Sequence, residues 1–246
     1  MNAAVDRTEP VAIVTGATGG IGAALAREFD RRGYRVLLHG FHDEVEGDRL
    51  ASTLRRAVYV DANLSEPDGA ESVVAACLEA FARLDVLINN AGVGIPVPHA
   101  DLQAVTPVFF EMMLGVNLLG PWYMVRAAES ALREATGAVI NVSSVAGSTV
   151  SGSSIPYAVS KAGLEHLTRL LAVALGPSVR VNAVAPGYVE TERTRDWSEV
   201  REEILSRAPL ARLGQPDDVV AACFALLAST YTTGAVLSVD GGLNLA

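Results

Sequence analysis

The chain has 246 residues, half of them hydrophobic, and a net charge of −9 at neutral pH. That length suits one large α/β domain with an ample core, and an acidic chain without a basic tract argues against nucleic acid or an anionic membrane as partner. No uninterrupted apolar run reaches the roughly 18–20 residues of a membrane span, and the opening MNAAVDRTEP has no signal-peptide core. The expectation is a cytoplasmic protein with residues 1–10 as a tail and residues 11–246 as a single domain. Cys77 and Cys223 fall on apolar faces of helical patterns and read as buried hydrophobes. His39, His42, His99 and His166 do not cluster at metal-ligand spacing, so no metal is expected.

In chain order, Val11–Val14 (VAIV) is a short apolar run, followed at once by TGATGGIG and then ALAREFDRRG. This is strand, glycine-rich turn and helix, a setting in which backbone amides approach a pyrophosphate at the positive helix terminus. A second strand, Arg35–His39, runs into GFHDE. An acid at this strand's end selects the ribose 2′-OH of NAD, and an Arg accommodates the 2′-phosphate of NADP. Here His39, Gly40, Phe41 and His42 supply neither, and Asp43 and Glu44 come late and read as solvated loop charges.

Ala57–Asp61 is a third strand ending in an acid, with Ala62 next, and an amphipathic helix over 67–84 leads to a fourth strand at 85–89. Asn90-Ala91-Gly92 is then a small-residue turn at the carboxyl end of a strand, where open α/β sheets bind ligands. A helical stretch over 107–135 carries Asn117 within an apolar run, and a buried Asn must be hydrogen-bonded. A fifth strand over 137–143 delivers Ser144, with Tyr157 thirteen residues on and Lys161 four further. On a helix, Lys161 shares a face with Tyr157, and an ammonium beside a phenol favours the phenolate. With a hydroxyl from Ser144, the trio suits proton transfer at an alcohol or carbonyl oxygen. A sixth strand over 179–185 precedes PGYVET, a charged segment over about 188–209 reads equally as a lid or as a plain solvated helix pair, and a last strand at 236–239 ends at DGG. The fold class is therefore α/β: a single-domain Rossmann-type, doubly wound parallel sheet of about seven strands with helices on both faces.

Taken together, TGATGGIG, the NNAG at 89–92, Asn117, Ser144 with YAVSK, and PGYVET resemble the classical short-chain dehydrogenase/reductase family over residues 11–242. The glycines alone fit two spacings, Gly16/Gly20/Gly22 of short dehydrogenases and Gly16/Gly19/Gly22 of longer epimerase relatives; NNAG and the short length favour the first. The resemblance implies Tyr157 as general acid or base, Lys161 lowering its pKa and holding the nicotinamide ribose, Ser144 on the substrate oxygen, and Asn117 anchoring a relay water through its backbone. It places Gly16, Thr18, Gly19, Gly20, Ile21 and Gly22 around the pyrophosphate. Gly40, Phe41, Asp61, Ala62, Asn90, Ala91 and Gly92 fall on the adenosine side, and Pro186, Gly187, Val189 and Thr191 at the nicotinamide. Ser144, Val145, Tyr157, Tyr188 and Trp197 would face substrate, and the assembly would be a homotetramer or homodimer.

The nearest subgroup resembles 3-oxoacyl-[acyl-carrier-protein] reductases, on VNLLGPW, PLARLGQP and SVDGG. REATG and LGPSVR are thin in charge where a carrier protein would dock, so an acyl-carrier partner is possible and not favoured. The resemblance implies an oxidoreductase passing a hydride between NADP(H) or NAD(H) and a small-molecule ketone or secondary alcohol, with a slight lean to NADP(H). The 93–100 and 145–155 segments hold no Arg or Lys, which favours a neutral or apolar substrate over a small acid. HGF is reminiscent of NAD-linked hydroxybutyrate dehydrogenases, the first alternative. A non-catalytic dinucleotide sensor, which would lack the Tyr or Lys, is the second, and an isomerase or dehydratase on the same scaffold is the third.

Overall fold

A computed structural model describes residues 9–194 and 198–245. Seven strands form one wholly parallel sheet in the order β3-β2-β1-β4-β5-β6-β7. They are β1 (Val11–Val14), β2 (Arg35–Gly40), β3 (Ala57–Asp61), β4 (Val86–Asn89), β5 (Ala138–Val142), β6 (Arg180–Pro186) and β7 (Val236–Val239). The helices between them are α1 (Gly20–Arg31), α2 (Glu44–Thr53), α3 (Pro67–Phe81), α4 (Pro107–Leu114), α5 (Gly120–Ala135), α6 (Ile155–Leu175), α7 (Ser198–Arg207) and α8 (Pro216–Ala228).

Successive residues of a strand face opposite sides of the sheet, and β1 divides accordingly. Val11 and Ile13 join a core with α3, α5 and α6, through Val73, Met124 and Leu171. Ala12 and Val14 join a second core with α1, α2 and α8, through Phe29, Leu50 and Phe224. All four β1 residues are fully buried, as a strand covered on both faces requires. β1 pairs with β2 on one side and β4 on the other, with Val14 level with both Leu38 and Ile88. The chain therefore reverses its direction of winding at β1/β4, and a crevice opens above their carboxyl ends.

The expected single helix over 107–135 is interrupted. A π-helical turn, Gly115–Leu119, separates α4 from α5 and carries Asn117, and such turns concentrate at functional sites. By length and composition alone Pro107–Ala135 could cross a bilayer; in the fold its Met124, Val125, Ala128 and Leu132 are core residues. Other boundaries follow local chemistry. α8 begins at a reciprocal capping box between Gln215 and Asp218 with Pro216 in its first turn.

Candidate active site

The crevice begins as a knot of backbone and side chain between the turns after β1 and β4. The buried Thr15 hydroxyl donates to the Ile88 carbonyl (3.2 Å) and accepts from the backbone N–H of Asn90 (3.0 Å) and Ala91 (2.9 Å). Asn90 Nδ2 donates in return to the Thr15 and Gly16 carbonyls, both at 2.9 Å. This knot leaves no room for side chains at two glycines. A Cβ on Gly16, whose φ is +61°, would sit 2.8 Å from Ala91 Cα, and one on Gly22 would sit 2.0 Å from the Gly16 oxygen. Gly19 is the N-cap of α1, and a Cβ there would meet nothing within 4 Å among the described residues. The first turn of α1 thus presents its amides to open space, which fits a pyrophosphate.

His39 joins this turn to the next strand. Its Nδ1 accepts from the Gly16 N–H (3.3 Å), and its Nε2 lies 2.9 Å from the Ala62 carbonyl. Two such partners require the neutral tautomer with the proton on Nε2, and burial holds the imidazole below its ordinary pKa. His39 is one signal that sequence reasoning passed over, since attention at this strand end goes to the charge that follows it.

The second half of the crevice lies above β5 and β6. Ser144 leaves β5 in extended conformation and opens a 3-10 turn, its Oγ accepting from the Ala146 N–H at 3.2 Å. Tyr157 lies in the first turn of α6, where the Ser154 hydroxyl oxygen accepts the Tyr157 N–H. One turn on, the buried Lys161 donates from Nζ to the Val142 carbonyl at 2.8 Å and stands 5.8 Å from the Tyr157 ring centroid. Asn117 is wholly buried behind this corner. Its Oδ1 accepts from the Val93 N–H and its Nδ2 donates to the Val93 carbonyl, both at 2.9 Å, and to Ser160 Oγ at 3.1 Å. Gly92 separates it from Lys161, because a Cβ there would lie 3.1 Å from Asn117 Oδ1 and 3.5 Å from Lys161 Nζ. A phenol and a hydroxyl thus face one cleft of about 1260 Å³ with an ammonium at its floor, a set that can exchange a proton with an oxygen.

Residues 16–244 match a family model described as Enoyl-(Acyl carrier protein) reductase. A Streptomyces violaceoruber protein, assigned by its name as a ketoacyl reductase of the granaticin polyketide synthase, is 47% identical over 96% of each chain. A structure from Burkholderia xenovorans, assigned to the short-chain dehydrogenases/reductases, is 34% identical with a TM-score of 0.89, over 97% of this chain and 99% of its own. The chain belongs to the short-chain dehydrogenase/reductase family. The structure of ElxO with NADP bound is similar too, with a TM-score of 0.88 at 28% identity over 97% of this chain and 100% of that one. As a short-chain dehydrogenase/reductase, the protein is a nicotinamide-dependent oxidoreductase acting between carbonyl and alcohol.

The residues expected of a short-chain dehydrogenase/reductase do not all reach one wall. Ile21, Asn90, Gly92, Ser144, Val145, Tyr157 and Lys161 line the cleft, as do Pro186, Gly187, Tyr188, Val189 and Thr191. Gly40, Phe41, Asp61 and Ala62 sit one and two strands away, joined by the Ala62 N–H donating to the Gly40 carbonyl at 3.1 Å. Thr18 and Ala91 flank the knot, Thr18 through its hydroxyl and Ala91 through its backbone. Trp197 lies outside the described residues.

Two expectations change. Asp43 and Glu44 are exposed, as expected, but only Asp43 is in the loop: it is the N-cap of α2, which Glu44 opens. Asp43 Oδ2 accepts from the Thr18 hydroxyl at 2.9 Å, and the Asp43 N–H donates to Asp61 Oδ2 at 3.2 Å. The reason is register, since β2 continues to Gly40 and the turn carries Asp43 back over the glycine loop. The cleft wall also holds charge that the 93–100 and 145–155 segments do not show. Glu203 and Arg207 of α7 line it, and they pair with each other at 2.8 Å. The α7 segment is tied down at its base, where Glu190 accepts from Arg201 (2.5 Å) and from Gln215 (3.0 Å).

Proposed function

We propose that this enzyme interconverts a neutral ketone and its secondary alcohol with Tyr157 as the proton-exchanging group, and that it prefers NADP(H) to NAD(H). The observation that carries the reading is Lys161: a buried ammonium, fixed on the Val142 carbonyl and within 5.8 Å of the Tyr157 ring. A positive charge so placed favours the phenolate and brings the phenol toward the working pH. When bound, the nicotinamide supplies or accepts the hydride. The Ser144 oxygen already accepts from Ala146, so its own proton is available to the substrate oxygen. Asn117 works from behind the wall, clamping Val93 and, through Ser160, the Tyr157 carbonyl. Gly16, Gly19, Gly20 and Gly22 would hold the pyrophosphate, and Lys161 the nicotinamide ribose.

The cofactor preference rests on Gly40 and Phe41, which bring no carboxylate against a 2′-phosphate, with His42 beside them. Asp43 on Thr18 opposes it, so the expected preference is modest. Substrate neutrality rests on the Glu203–Arg207 pair, whose charges answer each other in the wall. We also read the assembly as a homotetramer, since α4, α5 and α6 leave Val108, Trp122, Leu170 and Val173 exposed. A cytoplasmic setting accords with two buried, unpaired thiols.

The test is the initial rate of NADPH and of NADH oxidation against a panel of ketones, with Tyr157→Phe alongside. Turnover that favours NADPH and collapses in the variant, with cofactor binding retained, is the expected result. A variant that keeps more than a few per cent of activity would remove Tyr157 from the role.

A further inference from the structure

Among the described residues, four buried side-chain atoms have no hydrogen-bond partner: Arg35 Nε, Asn89 Oδ1, His99 Nε2 and Ser153 Oγ. Arg35 and Asn89 lie away from the cleft; Arg35 donates through its two other nitrogens to the Phe81 and Glu9 carbonyls, and Asn89 donates through its one nitrogen, Nδ2, to Asn141 Oδ1. Ser153 and His99 line the cleft already described, where a Cβ on Gly94 would lie 3.3 Å from Ser153 Oγ. The group that the chemistry above leaves without a part is a carboxylate. Glu165 is the one buried acid among the described residues, 5% exposed, and an acid is seldom buried unless its partners hold it.

Its place follows from the helix. Tyr157, Lys161, Glu165 and Arg169 succeed one another at i+4 along α6, so Glu165 lies one turn beyond Lys161, and both are buried. There it meets both ends of one turn between β5 and α6. Ser143, the residue before Ser144, places its Oγ 3.2 Å from Glu165 Oε1 and 3.3 Å from the Lys161 carbonyl oxygen. Gly147 closes the 3-10 turn that Ser144 opens, and a Cβ on it would fall 2.7 Å from Glu165 Oε1 and 3.0 Å from the Lys161 carbonyl carbon. The turn that carries the Ser144 hydroxyl is thus seated on one carboxylate.

A serine hydroxyl has a single proton to donate, and Ser143 has two acceptors in reach. An ionised Glu165 is the stronger of them and takes it. A protonated Glu165 can instead donate to Ser143 Oγ, which leaves the Ser143 proton to the Lys161 carbonyl. We propose that Glu165 is a positioning residue: its ionised carboxylate, through Ser143 and Gly147, sets the turn that aims the Ser144 hydroxyl at the substrate oxygen. This rests on the role given to Ser144 above and adds a group that does not itself touch substrate. Lys161 and Arg169 flank Glu165 one turn to either side on α6, while β5 and the turn meet it with Ser143 and Gly147, neither of them charged. Burial raises its pKa against the Ser143 hydrogen bond and Arg169, so the change of state falls above the ordinary carboxylate range.

The experiment follows kcat/KM for 2-heptanone from about pH 5 to about pH 9 in the wild type, Glu165→Gln and Ser143→Ala, with the KM for NADPH alongside. In the wild type kcat/KM should fall about threefold as Glu165 takes up its proton, toward the lower end of what one hydrogen bond is worth. Both variants should lack that step while the KM for NADPH stays level. A step that survives in both variants, or a wild-type profile without one, overturns the proposal and leaves the reductase reading intact. Hydrogen–deuterium exchange over residues 143–149 reads the turn without turnover. Faster exchange in Ser143→Ala than in wild type supports the seating on Glu165, and equal exchange overturns it. A wild type that reduces no ketone while the turn responds in this way would keep Glu165 in its place and sink the reductase reading.

Discussion

The two halves of the crevice are built to different rules. Above β1 and β4, Thr15, Asn90, Gly16 and His39 satisfy one another almost completely, and the glycines sit where a single methyl would collide with backbone. Above β5 and β6, Ser153 Oγ and His99 Nε2 have no partner among the described residues, a charged pair lines the wall, and a glycine separates loops that could approach. On the proposed assignment, the first half binds an invariant dinucleotide and can be closed on itself. The second half, proposed to receive the substrate, keeps polar capacity in reserve, and the cost falls on the folded state.

Substitutions should separate the halves, and the largest effect is expected where they meet. Tyr157→Phe should lower kcat by about 100- to 10,000-fold, the usual contribution of a positioned acid or base, while cofactor fluorescence titration still reports binding. Lys161→Ala should cut turnover and also weaken the cofactor, on the proposal that its ammonium serves both the phenol and the ribose. Undiminished cofactor affinity would withdraw the second role.

Within the closed half, His39→Ala should raise the KM for cofactor about tenfold, the worth of a buried hydrogen bond or two, and by more than it lowers kcat. A fall in kcat alone would mean that His39 does not set the turn. The smallest effect is at Glu165, buried on α6 and accepting from Ser143 Oγ at 3.2 Å. Burial raises its pKa above the ordinary carboxylate value, with the Ser143 hydrogen bond and Arg169 opposing. A raised folded-state pKa means that stability is fully present below the unfolded value and is lost as pH rises through the folded one. Glu165→Gln should therefore raise Tm by a small margin at pH 7 to 8 and leave it level near pH 4. A gain at pH 4 equal to that at pH 8 would contradict the titration.

The same division explains what could be read from the sequence. The strands are short apolar runs bounded by glycine, and VAIV before TGATGGIG announces strand, turn and helix because that geometry needs those residues. That Tyr157 and Lys161 share one helical face was legible by spacing, since i to i+4 on a helix is a fixed relation; that Ser144 lines the same cleft is a matter of tertiary structure. Asp43 is the exposed loop charge that the sequence suggests, but its contact with Thr18 depends on where β2 stops, a matter of one residue and of tertiary register. The π-helical turn at Asn117 leaves no mark that a helical period would reveal. Ser153, His99 and Arg207 come from three separate segments, and only folding brings them to one wall.

Cys77 and Cys223 are wholly buried, and burial pushes both thiols up to about 12. Thiolate, the species that alkylating reagents attack, is therefore scarce at neutral pH, and the chain has no other cysteine. The native enzyme is in effect blank to maleimide chemistry. A single Ser206→Cys on the exposed face of α7 would accept one fluorophore without competition, and its emission would follow that helix as cofactor and substrate arrive.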